Sequence, residues 1–186
     1  MSPWELPVSA EIGGVTYPIH GDYREVLEVI RALEDPELPE FYRWQVALAL
    51  FYEGKIPRKH QRQAMEYLAI FLNGGQAQTE KKDPPRLLDW DQDASVIVAD
   101  VNKVAGCEIR SLPFLHWWSF LAYFHGIGEG QLCTVVSIRD KLRRGTPLEK
   151  WEKAFYRENR EQVDLKKRYS PEERAEQARL NELLGN

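Results

Sequence analysis

The stretch that most constrains this chain is residues 111–130, SLPFLHWWSFLAYFHGIGEG. Leu112, Phe114, Leu115, Trp117, Trp118, Phe120, Leu121 and Phe124 go nearly all the way round a helix. A helix that is apolar on every side must be buried on every side. Its apolar run, from Leu112 to Phe124, is shorter than the roughly 20 consecutive apolar residues that a bilayer requires. It therefore reads as the central helix of a water-soluble core, with the other segments packed around it.

The rest of the chain has to supply that packing. With 186 residues it fits one domain, or one domain with appendages. A hydrophobic fraction of 43% is enough for a core, and 29% charged residues with a net charge of −4 give a mildly acidic surface. That balance argues against a general nucleic-acid binder, because phosphate affinity comes from clustered Lys and Arg. Cys107 and Cys133 are far apart and fit no metal-site or secreted-scaffold spacing, which points to a reducing compartment. The opening MSPWELPVSAEIGG lacks a basic and then apolar leader, so no signal peptide is expected.

In chain order, residues 8–12 and 15–19 around Gly13-Gly14 predict a small β-hairpin, with Pro18 marking a short or edge strand. Asp22 followed by Glu25 predicts a capped helix over 23–33, ended by Asp35-Pro36. A second helix is expected over 39–53, with Phe41, Trp44, Leu48 and Phe51 inward. A third, over 57–73, buries Ala64, Tyr67, Leu68, Phe71 and Leu72. Arg58, Lys59, His60 and Arg62 read most simply as its solvated first turn, but cations there oppose the helix dipole and have no folding reason, a weak hint of a partner site. Residues 74–88 begin GGQAQTEKKDPP and read as an exposed loop. A fourth helix over 89–105 is expected to start at Asp89, with Gln92 in the capping-box position and Trp90, Ala94, Ile97, Val101 and Val104 as its stripe. Residues 132–144 form another, with Val135, Val136, Ile138 and Leu142 inside.

From Thr146 the composition changes. Thr146 and Pro147 suggest a helix start, with Leu148, Trp151 and Phe155 as a narrow stripe. Ser170 to Glu173 is a capping signature for a last helix with Ala175, Ala178, Leu180, Leu183 and Leu184. Such thin faces bury little, so this tail is expected to be partly mobile or ordered by a partner. The expected fold is mainly α: a helical bundle-like core with an N-terminal hairpin over 1–145, and a charged helical extension over 146–186.

Several clusters invite chemistry. Asp89, Asp91 and Asp93 begin like a calcium loop, but Ala94 stands where Gly is needed and Asp100 replaces the bidentate Glu. A helix N-terminus whose dipole favours acids explains them better. His116 shares a line with Ser119 and Tyr123 at helical spacing. A satisfied polar seam in a core accounts for that line better than a catalytic dyad, since a regular helix is a poor platform for a nucleophile. Cys107, His116, His125 and Cys133 lack the short ligand spacing of a structural zinc site. Arg139 lies beside the apolar face of its helix and either pairs with an acid such as Asp93 or Asp100 or snorkels to solvent. No cofactor is expected.

Taken together, I-G-G-V-T-Y-P-I then D-Y-R at 12–24, D-W-D-Q-D-A-S-V-I at 89–97, L-H-W-W-S-F-L at 115–121 and V-S-I-R at 136–139 resemble a phage family called gene product fifteen. These are small proteins encoded in the tail-morphogenesis region of long-tailed phages and prophages of Gram-positive bacteria. The resemblance spans roughly residues 11–144. It rests on Asp89, Trp90, Asp93, Ala94, Leu115, His116, Trp117, Trp118, Phe120, Ile138 and Arg139. It implies a non-enzymatic tail assembly chaperone that binds the phage tape measure protein, with a companion tail chaperone as a further partner. It implies the host cytoplasm as location, absence from the finished virion, and no catalytic residue. No nucleic acid or membrane partner is expected; self-association stays open. The alternatives are a structural or accessory tail protein, and a small-ligand or enzymatic helical protein using His116.

Overall fold

The computed structural model of the protein describes residues 4–77 and 85–184. Part of the expected loop at 74–88, namely 78–84, lies outside the described residues, as do residues 1–3 and 185–186 and the side chain of Leu184. As the sequence implies, the protein is mainly helical with one small antiparallel hairpin. The chain divides into two compact units, residues 1–76 with 167–186 and residues 77–166.

The first unit opens with β1 (Ser9–Ile12) and β2 (Val15–Pro18), paired Ser9 to Pro18 through Ile12 to Val15. Gly13 and Gly14 carry φ of 58° and 76°, the left-handed pair that a two-residue primed turn requires. Gly13 is needed twice over, since a Cβ there would sit 2.6 Å from His60 Nε2. The same imidazole is hydrogen-bonded through Nδ1 to the Tyr17 hydroxyl at 2.8 Å, so His60 is a buried prop for the hairpin. Helix α1 (Tyr23–Glu34) starts at Asp22, whose Oδ1 accepts from Arg24 N at 3.0 Å. Glu25, instead of closing a capping box, pairs with His20 at 3.2 Å.

Helix α2 (Glu40–Phe51) packs against α1, and α3 (Gln61–Leu72) packs on α2 after a short 3-10 turn at Arg58–His60. Phe51, Tyr52 and Phe71 are fully buried, with the Phe51 and Phe71 rings 4.8 Å apart. The Tyr52 hydroxyl donates to the Ala64 carbonyl at 2.9 Å, and burial raises its phenol well above the usual range. Phe41 does not face inward as its spacing suggests; it stands in solvent at the first turn of α2.

The second unit holds α4 (Ala94–Ala105), α5 (Trp117–His125), α6 (Gln131–Arg144), α7 (Lys150–Glu158) and the short α8 (Arg160–Val163). Helix α4 packs against both α5 and α6, and α8 lies on α6. Residues 111–130 are not one long buried helix. A 3-10 turn at Ile109–Ser111 comes first, and nine residues make α5. Pro113 lacks a donor and disfavours helix at the residue before it, which delays the start. Only Trp117 and Phe120 within α5 are buried, while Ala122 and His125 are exposed.

Helix α4 likewise begins later than expected, at Ala94 and not Asp89. Its buried face is Asp93, Val96, Ile97, Asp100 and Val101, so Ala94 and Val104 point outward. In α6, Val135 and Ile138 are fully buried and Leu142 is exposed. They form a core with Val163, against which Leu148, Phe155 and Tyr156 pack. Helix α7 starts at Glu149, not at Thr146, and Trp151 on its expected stripe faces solvent. Residues 146–166 therefore bury more than their composition suggests.

Helix α9 (Pro171–Leu184) clusters with the first unit. Its Ser170–Glu173 capping box forms as the sequence reads: Glu173 N donates to Ser170 Oγ at 3.2 Å and Ser170 N to the Glu173 carboxylate at 2.8 Å. Arg168 pairs with Glu34 at 3.3 Å and Arg174 pairs with Glu37, while residues 171–183 are exposed. Among the described residues, no helix is long and apolar enough to cross a membrane.

Candidate functional site

The chemistry-bearing residues of the second unit converge on Arg139. Its side chain is 4% exposed and that of Asp93 is wholly buried, and the two form a bidentate pair at 2.6 and 2.9 Å. Nε donates to the Val163 carbonyl at 2.8 Å, Nη1 also to that of Leu87 at 2.9 Å, and Nη2 to that of Gln162 at 2.7 Å. A guanidinium has five N–H donors in a fixed fork, and all five have acceptors here. One side chain thus ties together the segment before α4, helix α6 and helix α8. Of the alternatives for Arg139, pairing with Asp93 is the one that forms.

The acidic run around Trp90 is the other half of this clamp. Asp93 Oδ2 also accepts from Asp89 N at 2.9 Å, closing the turn that precedes α4. Asp89 Oδ1 accepts from Asp91 N at 3.0 Å and Gln92 N at 2.9 Å, and its other oxygen pairs with Arg86. The carboxylates at 89 and 93 are engaged by cations and backbone donors. Gln92 does not serve as a capping-box residue. Its Nε2 donates to the carbonyls of Glu161, Gln162 and Asp164, at 3.2, 3.2 and 2.9 Å, and its Oε1 accepts from Lys166 N at 3.0 Å. Nothing in local sequence marks Gln92, because acceptors on a distant backbone leave no residue-type signal.

Asp100 is a second buried acid with a structural task. Oδ2 accepts from Leu132 N at 3.0 Å, at the start of α6, and Oδ1 pairs with Lys103 at 2.6 Å. Gly130 lies against it: a Cβ there would meet Asp100 Oδ2 at 2.5 Å. Gly130→Ala is expected to displace that carboxylate and cost about 1–3 kcal/mol, read as a lower urea midpoint.

His116 sits outside α5 as its N-cap. Its Nδ1 accepts from Trp118 N at 3.1 Å, which leaves the ring proton on Nε2. The ring is 3% exposed, so the line through Ser119 and Tyr123 begins at a buried cap and not at an open base. Trp118 stands edge-on to the imidazole with ring centres 6.0 Å apart, and Leu115 just before it is buried. Trp117 stacks on Phe120 at 5.4 Å, and Trp90 meets Trp117, Phe120 and Phe124 at 5.9, 6.2 and 5.3 Å. Trp90, Trp117 and Phe120 of the motif thus form an aromatic cluster with Phe124, and Trp118 lies against His116. Ile138 is fully buried one residue before Arg139.

Another buried acid, Glu152, was hidden in the charged tail. Its carboxylate accepts from Lys141 Nζ at 2.6 Å and from Glu149 N at 2.8 Å, tying α7 to α6. Lys141 holds the Glu152 carboxyl below the usual carboxylate range. A carboxyl lowered on folding stabilises the fold above its unfolded value and ceases to as pH falls through its folded value. Denaturation midpoints measured down a pH series should therefore drop on acidification, and Glu152→Gln should flatten part of that drop.

Among the described residues, no group of three or more His, Cys, Asp or Glu is placed to hold a metal. Cys107 and Cys133 are free and exposed, the latter with its thiol 3.0 Å from the Gly128 carbonyl oxygen. An apolar groove of about 610 Å³ lies open beside α6. Leu87, Leu88, Phe124, Ile127, Cys133 and Val136 line it, and Asp140 and Arg144 stand at one end. Arg143 beside Asp140 holds that carboxyl below the usual range.

A family described as "Bacteriophage Gp15 protein" matches residues 4–165. No curated protein and no solved structure matches the chain.

Proposed function

Because the chain belongs to the bacteriophage Gp15 family, we propose that it is a tail assembly chaperone, without enzymatic activity, that binds the helical tape measure protein before the tail tube polymerises. It works in the host cytoplasm, alongside a companion tail chaperone, and leaves before the virion is complete. The observation that carries this reading is the division of labour in the second unit. The polar residues of the family motif are engaged in holding the fold, whereas the apolar groove beside α6 is open. A cleft of that size and lining suits the side chains on the apolar face of a partner helix. A tape measure offers such faces in series.

Co-expression with the tape measure protein encoded nearby tests the reading. The partner is expected to become more soluble and to co-purify with this chain. Val136→Glu, at the groove wall, is expected to abolish capture while leaving the helical content unchanged. Mass spectrometry of purified particles should find the chain absent. Failure to co-purify, or presence in the particles at structural copy number, overturns the proposal.

A further inference from the structure

Helix α2 has a second apolar face that nothing among the described residues covers. Ala47, Leu48 and Phe51 are its buried side. On the opposite side, Tyr42, Val46 and Leu50 are 57%, 38% and 40% exposed, with Gln45 and Ala49 between them. A helix apolar all round is normally buried all round. Four further features are distributed along this face in a particular order.

The amino end carries aromatic knobs: Phe41 is 65% exposed with its ring 5.5 Å from that of Tyr42. The carboxyl end carries a hollow of about 440 Å³, lined by Gln45, Ala49, Tyr52, Lys55, Ile56 and Gln61. The amino end carries Asp35, Glu37 and Glu40; Glu37 is already paired with Arg174, whereas Glu40 has no ion-pair partner among the described residues. The carboxyl end is basic. Lys55, Arg58 and Lys59 are exposed and make no ion pair among the described residues, with Glu53 the one acid in 52–61. The cations at 58 and 59 also precede the N-terminus of α3, where the helix dipole disfavours them.

We infer that this face pairs with itself: two copies of the chain associate through antiparallel α2 helices about a two-fold axis near Val46. An isologous contact brings each feature against its complement. Phe41 and Tyr42 of one copy enter the hollow of the other, the acidic end of each lies on the basic end of its mate, and Val46, Ala49 and Leu50 meet in the middle. The small Ala49 allows close approach of the helices. Charge order, shape order and the apolar centre all select the antiparallel mate. The opposing dipole at 58 and 59 is offset when acids of a second copy face it. The inference is independent of the chaperone reading, which depends on the groove beside α6.

Sedimentation velocity of the full chain tests it. The native chain is expected to pass from monomer to dimer between about 1 and about 100 µM. Leu50→Glu and Val46→Glu each bury a charge at the contact and should weaken association by at least about a hundredfold. Circular dichroism checks that these exposed substitutions leave the fold intact. Glu40→Lys, or Lys55→Glu with Lys59→Glu, should each weaken the homodimer by about tenfold. An equal mixture of those two variants should restore a dimer, since opposite charges then face each other at both ends. A native chain that stays monomeric at the highest concentration overturns the inference. So does a dimer that survives Leu50→Glu, or one that is lost on Leu183→Glu in α9 and not on Leu50→Glu.

Discussion

Arg139→Met is expected to lower the unfolding free energy by about 3–5 kcal/mol, the cost of leaving a buried charge without its mate. The loss follows from five donors disappearing at once. Asp93 would keep a buried carboxylate with only the Asp89 amide on it, and the carbonyls of Leu87, Gln162 and Val163 would lose their acceptor contacts with the guanidinium. Urea denaturation followed by tryptophan fluorescence measures the change. Hydrogen exchange should locate it, with amides across 160–166 losing protection first, because Arg139 and Gln92 hold that segment together. Arg139→Lys should recover only part of the loss, since an ammonium has three donors and no planar fork.

The second large effect is expected at Trp117. It is 1% exposed, stacked on Phe120 and edge-on to Trp90, so truncation leaves a cavity where three aromatic rings meet. Trp117→Ala should cost about 3–5 kcal/mol. Trp151→Ala is the control. That residue stands in solvent on α7, and its loss should stay within about 0.5 kcal/mol. Equal effects at the two positions would mean that the aromatic cluster is not the core of this unit.

What could be read from the sequence was local. The Gly13-Gly14 turn, the Asp22 cap and the Ser170–Glu173 capping box are each set by residues within four positions of one another, and each forms. The start of α4 was not legible for the same reason reversed. Asp89, Asp91 and Asp93 are all competent caps; Asp89 caps only the turn before α4, and Asp93 at the helix boundary caps nothing, its carboxylate being held by Arg139, 46 residues further on. His116 was placed inside a helix because its apolar neighbours run on both sides. The delaying signal was Pro113, and a histidine ring accepting from Trp118 N then provides the cap. Glu152 and Val163 were lost in a stretch that reads as solvated charge, although each is buried against α6. The outward face of α2 was invisible because a periodicity that counts apolar residues cannot tell a covered face from an open one.

The candidate site divides in the same way. The residue types of the motif invite ligand or proton chemistry, whereas their partners are backbone amides, carbonyls and each other. A carboxylate run next to an aromatic helix is here a means of fixing three chain segments around one guanidinium. Two open surfaces are the apolar groove beside α6 and the outer face of α2; the first has no charged motif to mark it in the sequence, and the second has only the basic residues 58 and 59 at one end.

Asp93 and Arg139 act as one structural unit. A double-mutant cycle of Asp93→Asn, Arg139→Met and the pair together, read by urea denaturation, tests it most directly. The predicted result is large single losses that do not add, with a coupling of about 2 kcal/mol or more. Losses that simply add, or single variants within about 0.5 kcal/mol of the native chain, would contradict it.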